Sequence, residues 1–144
     1  MTTADDIVLP AIIQGGMGVG VSNWVLARAV AQTGNLGVVS GTALDTVLVR
    51  RLQDGDPGGH MRRAISQFPI ERVGAEVLSR YFLPNGRAEG KPYKMLPMYR
   101  QRTSVARQQV TMLANFVEVS LAREGHGGVV GVNLLTKVQL PNLA

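Results

Sequence analysis

The run Ile7-Val8-Leu9-Pro10-Ala11-Ile12-Ile13 passes directly into Gln14-Gly15-Gly16-Met17-Gly18-Val19-Gly20, so an apolar segment ends in four glycines within six positions. A nearly unbroken apolar run with β-branched residues is the pattern of a strand buried on both faces. Ser22 or Asn23 then offers an N-cap. Trp24 to Thr33 carries apolar positions at helical spacing, Leu26 and Val30 with Ala27 and Ala31 beside them, and Gly34 supplies the stop. Asn35 to Val39 is a second short strand, ended by Ser40-Gly41-Thr42. Strand, helix, strand within about 35 residues is a βαβ unit, with parallel strands and a right-handed crossover. The fold class is therefore α/β. The glycines fall at the carboxyl end of a parallel strand, where α/β folds bind ligands.

The next strand candidate, Gly128 to Leu135, follows only after about 85 residues, far more than an ordinary βαβ crossover needs. The sequence thus predicts a first βαβ unit over 1–44, a mainly helical insertion over 45–127, and a third strand with its following loop over 128–144. Helices are expected over 46–53, 60–67, 71–81 and 103–123, with a Pro- and Gly-rich loop at 83–98. In the longest helix Ala106, Val110, Leu113, Val117 and Leu121 form one stripe, with Met112, Phe116 and Val119 on its neighbour, and the pair reads as a buried face. Three parallel strands leave an open sheet edge, which folded proteins cover or pair. The expectation is the front part of a longer protein.

Composition narrows the function classes. Of 144 residues, 45% are hydrophobic and 17% charged, which fits a globular chain and not a disordered one. The absence of cysteine excludes disulfides, thiolate catalysis and cysteine-ligated metal sites. The acidic start MTTADD lacks a secretory n-region, and no apolar run approaches the ~18 residues that span a bilayer. A cytoplasmic protein with no membrane partner is expected. The net charge of +5 is concentrated, since Arg87, Lys91, Lys94, Arg100, Arg102 and Arg107 face only Glu89 in that stretch. Such a segment attracts an anionic carrier, cofactor or nucleic acid, but it reads first as a solvated loop and helix face, and no nucleic-acid partner is expected. The two histidines, His60 and His126, lie in Gly-rich settings that point to no catalytic role. A lone histidine makes no metal site, so no metal is expected.

Three uses of the glycine stretch compete. Gly15 and Gly20 have P-loop spacing, but Val21 stands where that loop needs its lysine, which removes the charge that holds a nucleoside triphosphate. The dinucleotide fingerprint fails on spacing, and Ser40-Gly41-Thr42 replace the acid that would hold a ribose. The third use is a strand tip that turns so that bare main chain and the adaptable Met17 side chain lie against a flat ring. A tight turn without ligand stays open beside it.

Leu9 to Gly18, the Ser-Asn-capped helix, Gly34 to Gly41 and Gly131-Val132-Asn133-Leu134 together resemble the opening of the nitronate monooxygenase (2-nitropropane dioxygenase-like) flavoproteins. The related FMN-dependent enoyl-acyl-carrier-protein reductases begin in the same way. The resemblance covers about 60 residues in three pieces and implies the N-terminal portion of a (β/α)8 TIM barrel, the three motifs being its first strands. It implies FMN as cofactor, with the backbone of Gln14, Gly15, Gly16, Met17 and Gly18 lining the flavin ring. Asn133 would hydrogen-bond the ring or its ribityl chain, because an amide offers both donor and acceptor. The family's catalytic histidine and phosphate loops would fall beyond Ala144, so no catalytic residue is assigned. The long insertion departs from the family. It emerges at the active-site face, where a lid, a homodimer contact or a docking surface would sit.

The resemblance therefore implies an FMN-dependent oxidoreductase. Flavin-mediated oxidation of nitronates by oxygen is favoured, and reduction of an enoyl thioester is the runner-up. The substrate is a small molecule or an acyl thioester, with an acyl carrier protein as the partner the basic segment suggests. An inactive fragment, or a basic binding module without flavin, is the non-enzymatic alternative.

Overall fold

A computed structural model describes residues 9–97 and 103–134. Three short strands, β1 (Ile13–Gln14), β2 (Leu36–Ser40) and β3 (Val130–Asn133), form one parallel sheet in the order β1-β2-β3. Gln14, the last residue of β1, pairs with Gly37, and Ser40 pairs with Asn133, so β2 and β3 end level while β1 ends three positions earlier. Five helices complete the mixed α/β fold: α1 (Trp24–Ala31), α2 (Leu44–Gln53), α3 (His60–Ile65), α4 (Glu71–Tyr81) and α5 (Val105–Arg123). Among the described residues no helix is long and apolar enough to cross a membrane.

Helix α1 starts where Asn23 caps it and stops before Gly34, whose φ of 80° takes the left-handed turn that ends the helix. Its buried positions are Ala27 and Ala31, while Leu26 and Val30 are only half-buried. The expected stripe is thus rotated, and the reason lies across the interface. A Cβ on Gly37 of β2 would overlap the Ala27 carbonyl oxygen, and one on Gly128 would overlap that of Ala31. Glycine facing alanine lets helix backbone touch strand backbone, so the small residues face inward.

The first strand also departs from expectation. Its regular pairing covers two residues, and Ile12 and Ile13 are each 62% exposed, so it is not buried on both faces. It lies at the sheet edge, and α1 packs on β2 and β3 instead. Ile7 and Val8 lie outside the described residues, as do Leu135 and the rest of the expected loop to 144. Strand β2, between two neighbours, is buried from Gly37 to Ser40.

One buried cluster joins Ala27 and Val39 of the βαβ unit to residues from α2, α3, α4 and α5. Helix α5 is the post around which the others gather, touching α1, α2, α3, α4 and β3. Asp45 meets Thr111 and Arg51 meets Glu118, so α2 and α5 run side by side in the same direction. The expected stripe is buried at Val110, Leu113, Val117 and Leu121 and half-buried at Ala106. Its neighbour, Met112, Phe116 and Val119, is only half-buried and lines an open hollow of about 780 Å³ with Phe68 and Val132.

A polar row on the same helix is fully enclosed: Arg107, Thr111, Asn115 and Glu118. Arg107 belongs to the basic cluster read from the sequence, but its guanidinium lies 2.8 Å from the Asp45 carboxylate and donates to the Pro97 carbonyl at 2.9 Å. It is an internal ion pair, not part of a basic surface. Arg100 and Arg102 lie outside the described residues.

Candidate functional site: the carboxyl edge of the sheet

The β2 main chain presents three N–H groups toward β1, at Leu36, Val38 and Ser40, and each finds a different kind of acceptor. Leu36 N donates to the Ile12 carbonyl at 3.1 Å, an ordinary ladder bond. Val38 N donates to the Gln14 side-chain oxygen at 3.1 Å, while Gln14 Nε2 returns a bond to the Val38 carbonyl at 3.1 Å. Ser40 N donates to the Ser22 carbonyl at 2.9 Å. The Gln14 amide therefore stands in for a peptide unit. It lets the backbone leave the sheet at Gly15 and rejoin it at Ser22 without orphaning β2.

What leaves the sheet is the glycine loop. Buried Ser22 gathers it from beneath: its Oγ accepts from Met17 N at 2.9 Å and from Gln14 Nε2 at 3.2 Å, and lies 3.4 Å from the Gly15 carbonyl. Gly15, Gly16, Met17 and Gly18 are all exposed, with Met17 half uncovered. A Cβ on Gly15 would meet nothing within 4 Å, whereas one on Gly16 would stand 2.5 Å from Asn133 Cβ and 3.0 Å from its Oδ1. The bareness of Gly16 thus serves the approach of Asn133, and that of Gly15 leaves open space. Gly41 N, donating to the Asn133 carbonyl at 2.9 Å, completes the edge.

The structure brings Gln14, Gly15, Gly16 and Asn133 to one place, from segments more than a hundred residues apart. Gln14 differs from expectation in its use, since its side chain, not only its backbone, shapes the site. Ser22 was read only as a cap; the cap is Asn23, whose Oδ1 accepts from Val25 N and Leu26 N at 3.1 Å each. The remaining helix-start donor, Trp24 N, is taken by Glu118 at 2.8 Å. With a carboxylate already at the α1 N-terminus, a phosphate has no seat there, which agrees with the missing P-loop lysine.

Glu118 at this helix end is not among the residues singled out from the sequence. A signal existed in the i, i+4 spacing of Arg107, Thr111 and Asn115, followed by Glu118, but polar residues at helical spacing read as a solvated face. Buried Glu118 also takes Arg51 at 2.8 Å and so ties α1, α2 and α5 together. Away from the edge, the Glu124 carboxyl is held below its usual range by the hydrogen bond from Arg63, against the opposing effect of desolvation, with the Arg63, Arg28 and His60 charges adding to the lowering. His126 closes the end of α5, with Nε2 2.7 Å from the Ala122 carbonyl and Gly128 N donating to Nδ1 at 3.1 Å. His60 packs against Trp24 in a tilted arrangement, with ring centres 5.2 Å apart and planes 49° apart. Among the described residues no three His, Asp or Glu side chains group as a metal site.

No protein-family model, curated protein or solved structure matches this chain. The edge itself offers exposed main chain and one side-chain amide, with no titratable side chain among Leu9–Ser22, Ser40–Leu44 and Val130–Leu134. Such a surface has hydrogen-bonding groups to offer a ligand and carries no titratable group within these segments.

Proposed function

We propose that this chain supplies the first strands of an FMN-dependent (β/α)8-barrel oxidoreductase that acts on nitronate-like carbanions with oxygen. The observation that carries the reading is the close approach of Gly16, just past β1, to Asn133, the last residue of β3, at the carboxyl edge of the parallel sheet. In α/β folds that end is where a ligand sits, and here it presents backbone and an amide to a flat ring. The exposed, unobstructed face at Gly15 and the adaptable Met17 fit a planar aromatic group, so the residues present suit the cofactor.

In this reading Gly15, Gly16, Met17 and Gly18 support the ring, Gln14 and Ser22 hold their backbone in shape, and Asn133 bonds the ring's polar edge or the ribityl chain. A flavin held by these residues would supply the transfer of electrons from substrate to oxygen. Proton transfer belongs to side chains outside this edge. Helix α5, running into β3 beside α1, takes the place of the second crossover helix of the barrel.

The test is direct. The protein, purified at its full natural length, should be yellow, release FMN on denaturation and consume oxygen with an alkyl nitronate. Reduction of an enoyl thioester by a nicotinamide donor, without nitronate turnover, would favour the reductase instead. A colourless protein that leaves the fluorescence of added FMN unchanged would refute both.

A further inference from the structure

Across most of the molecule arginines are matched to carboxylates. Arg28, Arg51, Arg62, Arg63, Arg72 and Arg107 each have one at 3.7 Å or less. Five described cations, Arg50, Arg80, Lys91, Lys94 and Arg123, have no carboxylate partner among the described residues, and all but Arg123 collect around the C-terminal end of α2.

Arg50 and Arg80 stand on helices, and Lys91 and Lys94 on a loop that is tied to α2. Buried Gln53 accepts from Lys94 N at 2.7 Å and donates to the Lys94 carbonyl at 3.1 Å, which pins the loop to α2. Beside it the Tyr93 hydroxyl lies 2.9 and 3.0 Å from the two Asp54 oxygens. The Tyr93 ring then gathers two guanidinium groups, Arg87 at 4.1 Å and Arg50 at 5.1 Å from its centre. Arg87 in turn donates to the Lys91 carbonyl. Lys94 Nζ donates to the Arg80 carbonyl at 3.2 Å and lies over Tyr81. Next to these cations Met95 is 71% exposed and Leu83 is 41% exposed.

We propose that this surface docks an acidic segment of a partner protein, with carboxylates against Arg50, Arg80, Lys91 and Lys94 and an apolar side chain against Met95 and Leu83. Arginine, tyrosine and methionine are the residue types that interfaces favour, and Arg50 and Lys94, whose charged ends already rest on the Tyr93 ring and the Arg80 carbonyl, lose less entropy on pairing. Nucleic acid fits less well. The Tyr93 ring that would stack a base already carries guanidinium groups. This inference is independent of the flavin reading.

The probe is a fluorescein-labelled, Glu- and Leu-rich amphipathic peptide, titrated in low salt without flavin. Saturable binding is expected, weakened about tenfold by Arg50→Glu combined with Lys94→Glu, and weakened also by Met95→Asp. Arg123→Glu removes an exposed cation on α5, away from the patch, and should change the affinity less than about twofold. These side chains are exposed, and circular dichroism checks that each variant is folded. Absent binding, or an equal loss in Arg123→Glu, would overturn the proposal. So would single-stranded DNA or phosphatidylglycerol vesicles that bind more tightly and respond to the same variants.

Discussion

Replacing Gln14 by alanine removes the side chain that stands in for a peptide unit beside β2. It leaves the Val38 N–H and carbonyl without partners, and Val38 is only 9% exposed, so water does not take over. Two orphaned buried groups at about 1–3 kcal/mol each, less about 1.5 kcal/mol of glutamine side-chain entropy no longer lost, give a destabilisation of about 2.5 kcal/mol. With a urea dependence of about 2 kcal/mol per molar, the unfolding midpoint falls by about 1 M. The single tryptophan, Trp24, lies in α1 immediately after the loop and reports the transition by its fluorescence. Gln14→Glu should do no better, because the carboxylate would turn an oxygen toward the Val38 and Gly15 carbonyls. Ser22→Ala should cost less, about 1 kcal/mol, since the loop groups it holds lie near solvent. Hydrogen exchange at Met17 N should nevertheless accelerate in that variant. A midpoint shift below about 0.2 M in Gln14→Ala would show that the side-chain extension of the ladder carries no energy, and the account of the loop would fail.

Two further outcomes are expected. Ala43 sits in the left-handed region at φ 54°, ψ 28° just after β2, so Ala43→Gly should stabilise the protein by about 0.5–1 kcal/mol and raise its Tm by about 2–4 °C, read by calorimetry. Glu124 has a lowered pKa in the folded state, so its contribution is present above the ordinary carboxylate range and disappears as pH falls through the lowered value. The stability gap between the wild type and Glu124→Gln, measured by urea unfolding, should therefore be widest near neutral pH and close as the pH drops below about 4.

The sequence by itself determined the α/β class, the parallel βαβ start and the gathering of Gln14 to Gly18 at a strand end, because these rest on local signals. An apolar run, a capping Asn23 and a terminating Gly34 act over a few residues. Helices α2 to α5 were legible for the same reason, and so was the main buried stripe of α5.

Only the tertiary structure decided which side chains those elements enclose. The spacing of α1 allowed Leu26 and Val30 to face inward, but Gly37 and Gly128, brought against the helix by the sheet, admit only Ala27 and Ala31. Arg107 looked like part of a basic run until Asp45, from a helix more than sixty positions earlier, lay 2.8 Å away. Gln14 looked like a loop residue, yet its side chain is a rung of the ladder because β2 lies alongside with a vacant N–H and carbonyl. In each case the deciding partner is distant along the chain, and hydrogen bonding and packing between distant segments leave no periodic trace in the residues that take part.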